Sequence, residues 1–217
     1  MALQPGIHWI IDPLCGWSYG ALPLINRIAQ DFPQAQHLLP GGLFIGAQRR
    51  RIDASWLQHV HEHDDRIAKL TGMPFGDAYR HSLLATEGLL LDSLPASQGL
   101  LAVQRFAQPG ADIDYLHAVQ SAWYRDGRDI TQVSVVEEVI RQSCGQAIAL
   151  AQVRGNDAIA AIQYGRMLMA QVEGQGFPTA VLADRDGVTT LLPAGHFYGK
   201  PDQFLAGVAP YLEQMDQ

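Results

Sequence analysis

Cysteine is scarce in this sequence: Cys15 and Cys144 are the only two among 217 residues. That excludes a disulfide-stapled scaffold and fits a reducing compartment. Basic residues are also few, 15 Lys and Arg against 22 Asp and Glu. The resulting net charge of −7 argues against nucleic acid or an acidic membrane surface as the main partner. No apolar run approaches the roughly 20 residues that a membrane helix needs. The opening residues carry neither a basic start nor an apolar stretch of signal-peptide type, so no membrane association is expected and the cytoplasm is the expected location. No internal repeat or low-complexity linker interrupts the chain. Apolar residues nevertheless make up 47% of it and charged residues 17%, an ordinary balance for a folded protein. The length suits one large domain, or a small one with a long insertion.

The chemistry concentrates in Asp12-Pro13-Leu14-Cys15-Gly16-Trp17-Ser18-Tyr19-Gly20. An apolar run, Ile7 to Ile11, precedes it and reads as a strand. Leu22 to Phe32 follows, with Ile25, Ile28, Ala29 and Phe32 at helical spacing and Pro23 expected to bend the helix. Cys15 is thus placed where a strand ends and a helix begins. The free N–H groups and dipole of a helix start favour a thiolate, the nucleophilic form of cysteine. Ser18, one turn on, is expected beside the sulfur. The pattern is C-x-x-S, a C-x-x-C redox motif without its resolving thiol.

His37 to Leu39, closed by Pro40-Gly41-Gly42, predicts a second strand and so a parallel, right-handed βαβ opening. From about 53 to 173 helical periods dominate. Ser55 is read as the cap of a helix buried through Trp56, Val60, Ile67 and Leu70. Further helices start near Pro95, around Leu116, around Val136 and at Asn156. Strand signals return at Thr179 to Leu182, and Asp186-Gly187 marks a hairpin leading into Val188 to Leu192. A last helix runs from Pro201. The reading is a single α/β domain over 1–217, with core segments of about 6–45 and 174–215 and an all-helical insertion of about 53–173. Gly176-Phe177-Pro178-Thr179 stands just before the returning strand, where a proline is tolerated and a cis X-Pro bond can lie.

These residues carry a family resemblance. Cys15-Gly16-Trp17-Ser18-Tyr19-Gly20 after a strand, a large helical insertion, and Gly176-Phe177-Pro178-Thr179 before a hairpin resemble the DsbA-like branch of the thioredoxin superfamily, in particular its cytoplasmic group of predicted protein-disulfide isomerases. Leu70 to Gly76 and Gly127 to Thr131 also resemble that group's insertion segments. The resemblance implies a thioredoxin fold, with the Ile7 to Ile11 strand and the strand after Pro178 paired antiparallel. It implies a cis Pro178 facing Cys15, and Phe177 lining the place of a substrate peptide or glutathione. It makes Cys15 and Ser18 the catalytic pair, and Gly16, Trp17, Phe177, Pro178 and Thr179 the substrate-binding residues. No resident cofactor is implied; glutathione enters as a possible co-substrate, and the partners are protein or small-molecule thiols and disulfides. The family's second cysteine is Ser18 here, and a hydroxyl cannot resolve a mixed disulfide at neutral pH. What remains is monothiol chemistry completed by an outside thiol.

Other residues receive plainer readings. Cys144, on the apolar face of a helix, is expected to be inert core. Trp17 suits either packing or an aromatic lid. His59, His61 and His63, with Asp64 and Asp65, suggest a metal, yet only His59 and His63 share a helix side, so a solvated polar face is expected and no metal. Arg49-Arg50-Arg51 reads as a solvated loop, with an anion or glutathione contact as the sharper alternative. Two functions compete with the oxidoreductase. One is a glutathione-dependent transferase or isomerase of kappa-class type, which typically carries Ser where Cys15 stands. The other is a redox-inactive peptide-binding module.

Overall fold

The computed structural model describes residues 3–215. Strand β1 (Gly6–Ile11) is buried along its whole length, as an unbroken apolar run in a central strand should be. It pairs in parallel with β2 (Gln36–Pro40) and antiparallel with β5 (Thr179–Ala183). Strand β6 (Thr189–Leu192) adds to β5, giving the order β2-β1-β5-β6. The register matters for function. Ile10 stands opposite Thr179, so the entry to β5 lies beside the exit of β1, where the Cys15 loop begins.

Two helices follow β1: α1 (Gly16–Gly20) and α2 (Leu22–Asp31). The break falls at Ala21, and Pro23 occupies the first turn of α2 instead of bending a continuous helix. Helix α8 (Pro201–Met215) packs with α2 on one face of the sheet, with the Trp9 and Phe204 rings 5.8 Å apart. Helix α7 (Gly155–Gln171) covers the other face, where Leu168 meets Ile10 and Val181. Neighbouring residues of β1 therefore bury against opposite layers. The βαβ and ββα halves share one sheet with helices between them, the thioredoxin arrangement with a helical insertion.

That insertion holds α3 (Ala54–Thr71), α4 (Leu94–Phe106), α5 (Ala111–Tyr124), α6 (Val133–Cys144) and α7. It is not entirely α-helical. A short ribbon pairs β3 (Arg50–Arg51) with β4 (Leu90–Leu91), and residues Ala78–Leu83 form a π-helical turn; strands of two residues are too short to show a period in sequence. Several local expectations are corrected. Asp53, not Ser55, caps α3, accepting the Trp56 N–H at 2.8 Å. Arg154, not Asn156, precedes α7. Leu70 is exposed, Trp56 and Val60 are half-buried, and Cys144 is only partly buried against the core. Nor is the arginine run a free loop. Arg50 lies over the Trp56 ring, Arg51 donates to the Gly88 carbonyl, and Arg49 pairs with Asp92.

Candidate active site

Cys15 caps α1 with extended backbone and is 8% exposed. Its thiol faces the Phe177 carbonyl at 3.4 Å, and the Phe177–Pro178 peptide bond is cis. The structure thus brings together Cys15, Ser18, Phe177 and Pro178 from opposite ends of the chain. Thr179 contributes differently: it is buried, pairs with Ile10, and its hydroxyl donates to the Gly176 carbonyl at 2.6 Å, shaping the turn before the proline. Gly16 has little room for a side chain. A Cβ there would lie 3.0 Å from Ile67 and 3.1 Å from an Asp64 oxygen. Gly41, after β2, is needed for the same reason, since a Cβ would fall 2.2 Å from the Phe177 ring. Arg166 of α7 donates to the Gly41 carbonyl at 2.8 Å and also to that of Gly42, fixing this loop under Phe177.

Ser18 is fully buried, and its hydroxyl accepts the Asp12 N–H at 3.2 Å. Asp12, also fully buried, organises the loop: one oxygen accepts from Leu14 N–H (2.8 Å) and the Ser93 hydroxyl (3.1 Å), the other from Leu43 N–H (2.6 Å). Burial raises the Asp12 carboxyl, while these donors and Arg166 oppose the rise. For Cys15 the balance differs from the sequence expectation. Burial, assisted by the Asp12 charge, pushes the thiol up to about 11, although the Ser18 amide and hydroxyl and the Trp17 amide pull it down. Desolvation outweighs a helix start only five residues long. The resting site holds a thiol that donates to Phe177. Labelling of Cys15 by iodoacetamide in a Cys144→Ser background should therefore accelerate about tenfold per pH unit from about 7 to 10, following the thiolate fraction; a rate already flat at pH 8 would contradict this assignment.

Trp17 is half-buried between two recesses and borders both. Its indole N–H donates to His63 Nδ1 at 3.0 Å, its carbonyl accepts from the Tyr198 hydroxyl at 2.8 Å, and Arg66 lies 5.5 Å from its ring centroid. The histidine pattern on α3 serves this contact; among the described residues no group of three or more His, Cys, Asp or Glu could hold a metal ion. His59 stays exposed as expected, while His63 beside it is half-buried. Burial, followed by the charges of His59 and Arg66, lowers it, which keeps Nδ1 an acceptor. Asp64, read with the histidines as part of a solvated polar face, is instead buried. It is 3% exposed, accepts from the Tyr79 hydroxyl at 3.0 Å, and burial lifts its carboxyl to about 7. The available signal was an acid set among Trp56, Val60 and Ile67 on one helical face.

Comparison with family models and with curated proteins finds no match. Solved structures do match. The cytosolic disulfide reductase DsbM from Pseudomonas aeruginosa is 32% identical, with 96% of this chain and 99% of that one covered at a TM-score of 0.85. The chain belongs to the DsbA-like thiol-disulfide oxidoreductases. A second structure of DsbM, with glutathione, matches at 32% identity over the same spans and a TM-score of 0.84. A candidate protein disulfide isomerase from Nitrosomonas europaea, 22% identical over 96% of this chain and 98% of that one at a TM-score of 0.75, shares the fold. In this DsbA-like protein Cys15, at the start of α1, faces the cis-bonded Phe177–Pro178 pair, and the insertion supplies one wall of the site through α3 and α5. No helix among the described residues is long and apolar enough to cross a membrane.

Proposed function

We propose that this oxidoreductase exchanges disulfides through Cys15 alone, with glutathione as the outside thiol. The observation that carries the reading is the cysteine with a hydroxyl one turn away: Ser18 is sealed in the core with its oxygen already accepting from Asp12 N–H. Cys15, once deprotonated, attacks a sulfur of a glutathione mixed disulfide. A new S–S bond joins Cys15 to glutathione, and the other thiol leaves and takes up a proton. A second glutathione thiolate then attacks the Cys15-bound disulfide, giving glutathione disulfide and returning Cys15 as the thiol. Each step replaces one S–S bond by another, so no further oxidant or reductant is needed. Gly16 and Trp17 flank the sulfur, and Phe177, Pro178 and Thr179 offer an extended edge against which a peptide backbone can lie. The relative whose structure holds glutathione supports the choice of thiol, and its name, a cytosolic reductase, supports a reducing cytoplasmic setting. The partners are thiols and disulfides of proteins or small molecules.

Incubation with glutathione disulfide followed by intact-mass measurement should show one glutathione on the protein, mapped to Cys15 and removed by dithiothreitol. Cys15→Ser should show no adduct and reduce exchange to background. An adduct on Cys144 only would overturn the reading.

A further inference from the structure

A cavity of about 260 Å³ opens beside Cys15 and runs into the insertion between α3, α5 and the β3–β4 ribbon. Trp56, Val60, Ile67, Leu84 and Trp123 form much of its wall. Trp17 separates it from the recess formed by Phe177, Pro178 and Thr179. We propose that this cavity is a specificity pocket that takes a compact aromatic group on the sulfur partner of Cys15, so that preferred substrates are mixed disulfides of glutathione with aryl or arylalkyl thiols. The proposal rests on the exchange reading above and deepens it by naming the substrate class.

Charge decides which half of the disulfide belongs here. Glutathione brings two carboxylates and an ammonium, yet no Lys or Arg lines the cavity. Its one acid, Asp64, is buried, accepts from Tyr79, and is held toward the neutral form by burial. An ionised peptide would lose its hydration there and meet only the imidazoles of His59 and His63 as polar partners, with no fixed positive charge, a cost of several kcal/mol for each buried ion. The recess beyond Trp17 is different. It too has no Lys or Arg, but it is bounded by Gln175, Thr179, His196 and Tyr198 and by Gly174, Gly176 and Gly195, whose lack of a side chain leaves main chain within reach of a peptide. Size agrees with the assignment. An apolar cavity of about 150 Å³ holds benzene, so this one accommodates a naphthyl group or a substituted phenyl ring. The walls are aromatic and aliphatic, and a ring buried there stacks against surfaces that the fold already holds in place.

The test separates the pocket from the exchange chemistry. In the Cys144→Ser protein at about pH 6, below the Asp64 midpoint, the rates of Cys15 alkylation by N-(1-naphthyl)maleimide and N-ethylmaleimide are each divided by the reagent's rate with free glutathione. The naphthyl reagent should then be favoured at least about tenfold, the scale expected for burying a ring. Val60→Trp, which fills the cavity, should bring the ratio near one with the far-ultraviolet spectrum retained; should that variant not fold, protection of Cys15 by 2-naphthol in the parent replaces it. In turnover, kcat/KM for the glutathione–benzyl mercaptan disulfide should exceed that for the glutathione–2-mercaptoethanol disulfide by a similar factor. A normalised naphthyl-to-ethyl ratio near one in the parent overturns the pocket. If that preference holds while no glutathione adduct ever forms on Cys15, the pocket stands and the exchange reading falls.

Discussion

Ser18→Cys is expected to convert the protein from a one-thiol to a two-thiol enzyme, raising insulin reduction with dithiothreitol by at least about tenfold. The expectation rests on effective concentration. A thiol held one helical turn from Cys15 competes with an external thiol present at millimolar levels, and well-placed intramolecular groups outdo that by orders of magnitude. The position is suited to the replacement because Ser18 is already packed beneath the sulfur and its hydroxyl bears on the Cys15 thiol. The cost is modest: sulfur is a poor acceptor for the Asp12 N–H, worth about 1 kcal/mol. Mild oxidation followed by thiol counting should find an internal disulfide. Two free thiols remaining after such oxidation would show that Ser18 does not stand where a resolving cysteine works.

The second large effect concerns stability. Asp64 is buried, and its carboxyl lies near 7 instead of near its usual value of about 4. A raised carboxyl means that the folded state holds its proton more tightly than the unfolded chain. Stability from this group is therefore complete below about pH 4 and is lost as pH rises through about 7. The full difference is about 4 kcal/mol. Asp64→Asn removes the ionisation and keeps an acceptor for the Tyr79 hydroxyl. Urea unfolding should show the variant gaining on the parent progressively between about pH 4 and 7 and ahead by up to about 4 kcal/mol at pH 8. Parallel pH profiles for the two proteins would refute a buried, proton-holding Asp64.

The sequence made the frame legible because its signals were local and strong. The apolar run of β1, the turn at Asp186-Gly187 and the C-x-x-S stretch all lie where they were read. Pro178 was placed through family resemblance, since no period links it to Cys15. What could not be read depends on three-dimensional surroundings. The helix start pointed to a thiolate, but only the packing around Cys15 shows that desolvation prevails. The apolar stripe of α3 looked like ordinary core, whereas in the fold Trp56 and Val60 line a cavity and leave room beside the sulfur. His63 and Asp64, neighbours in a polar-looking stretch, part company: one holds Trp17 and the other is sealed against Tyr79.

The Asp12 carboxylate also bears on how the molecule comes apart. It joins the end of β1, the loop after β2 and Ser93 at the entry to α4, and Ser93 is in turn bonded to Phe44 through both its hydroxyl and its amide. Peeling the insertion from the sheet would strip Asp12 of a donor and leave buried main-chain groups unanswered, at about 1–3 kcal/mol apiece. The loop that carries Cys15 and the helices added to the sheet are thus one cooperative unit. A destabilising change deep in α4, remote from any sulfur, would loosen the grip on the nucleophile before it unfolded the sheet.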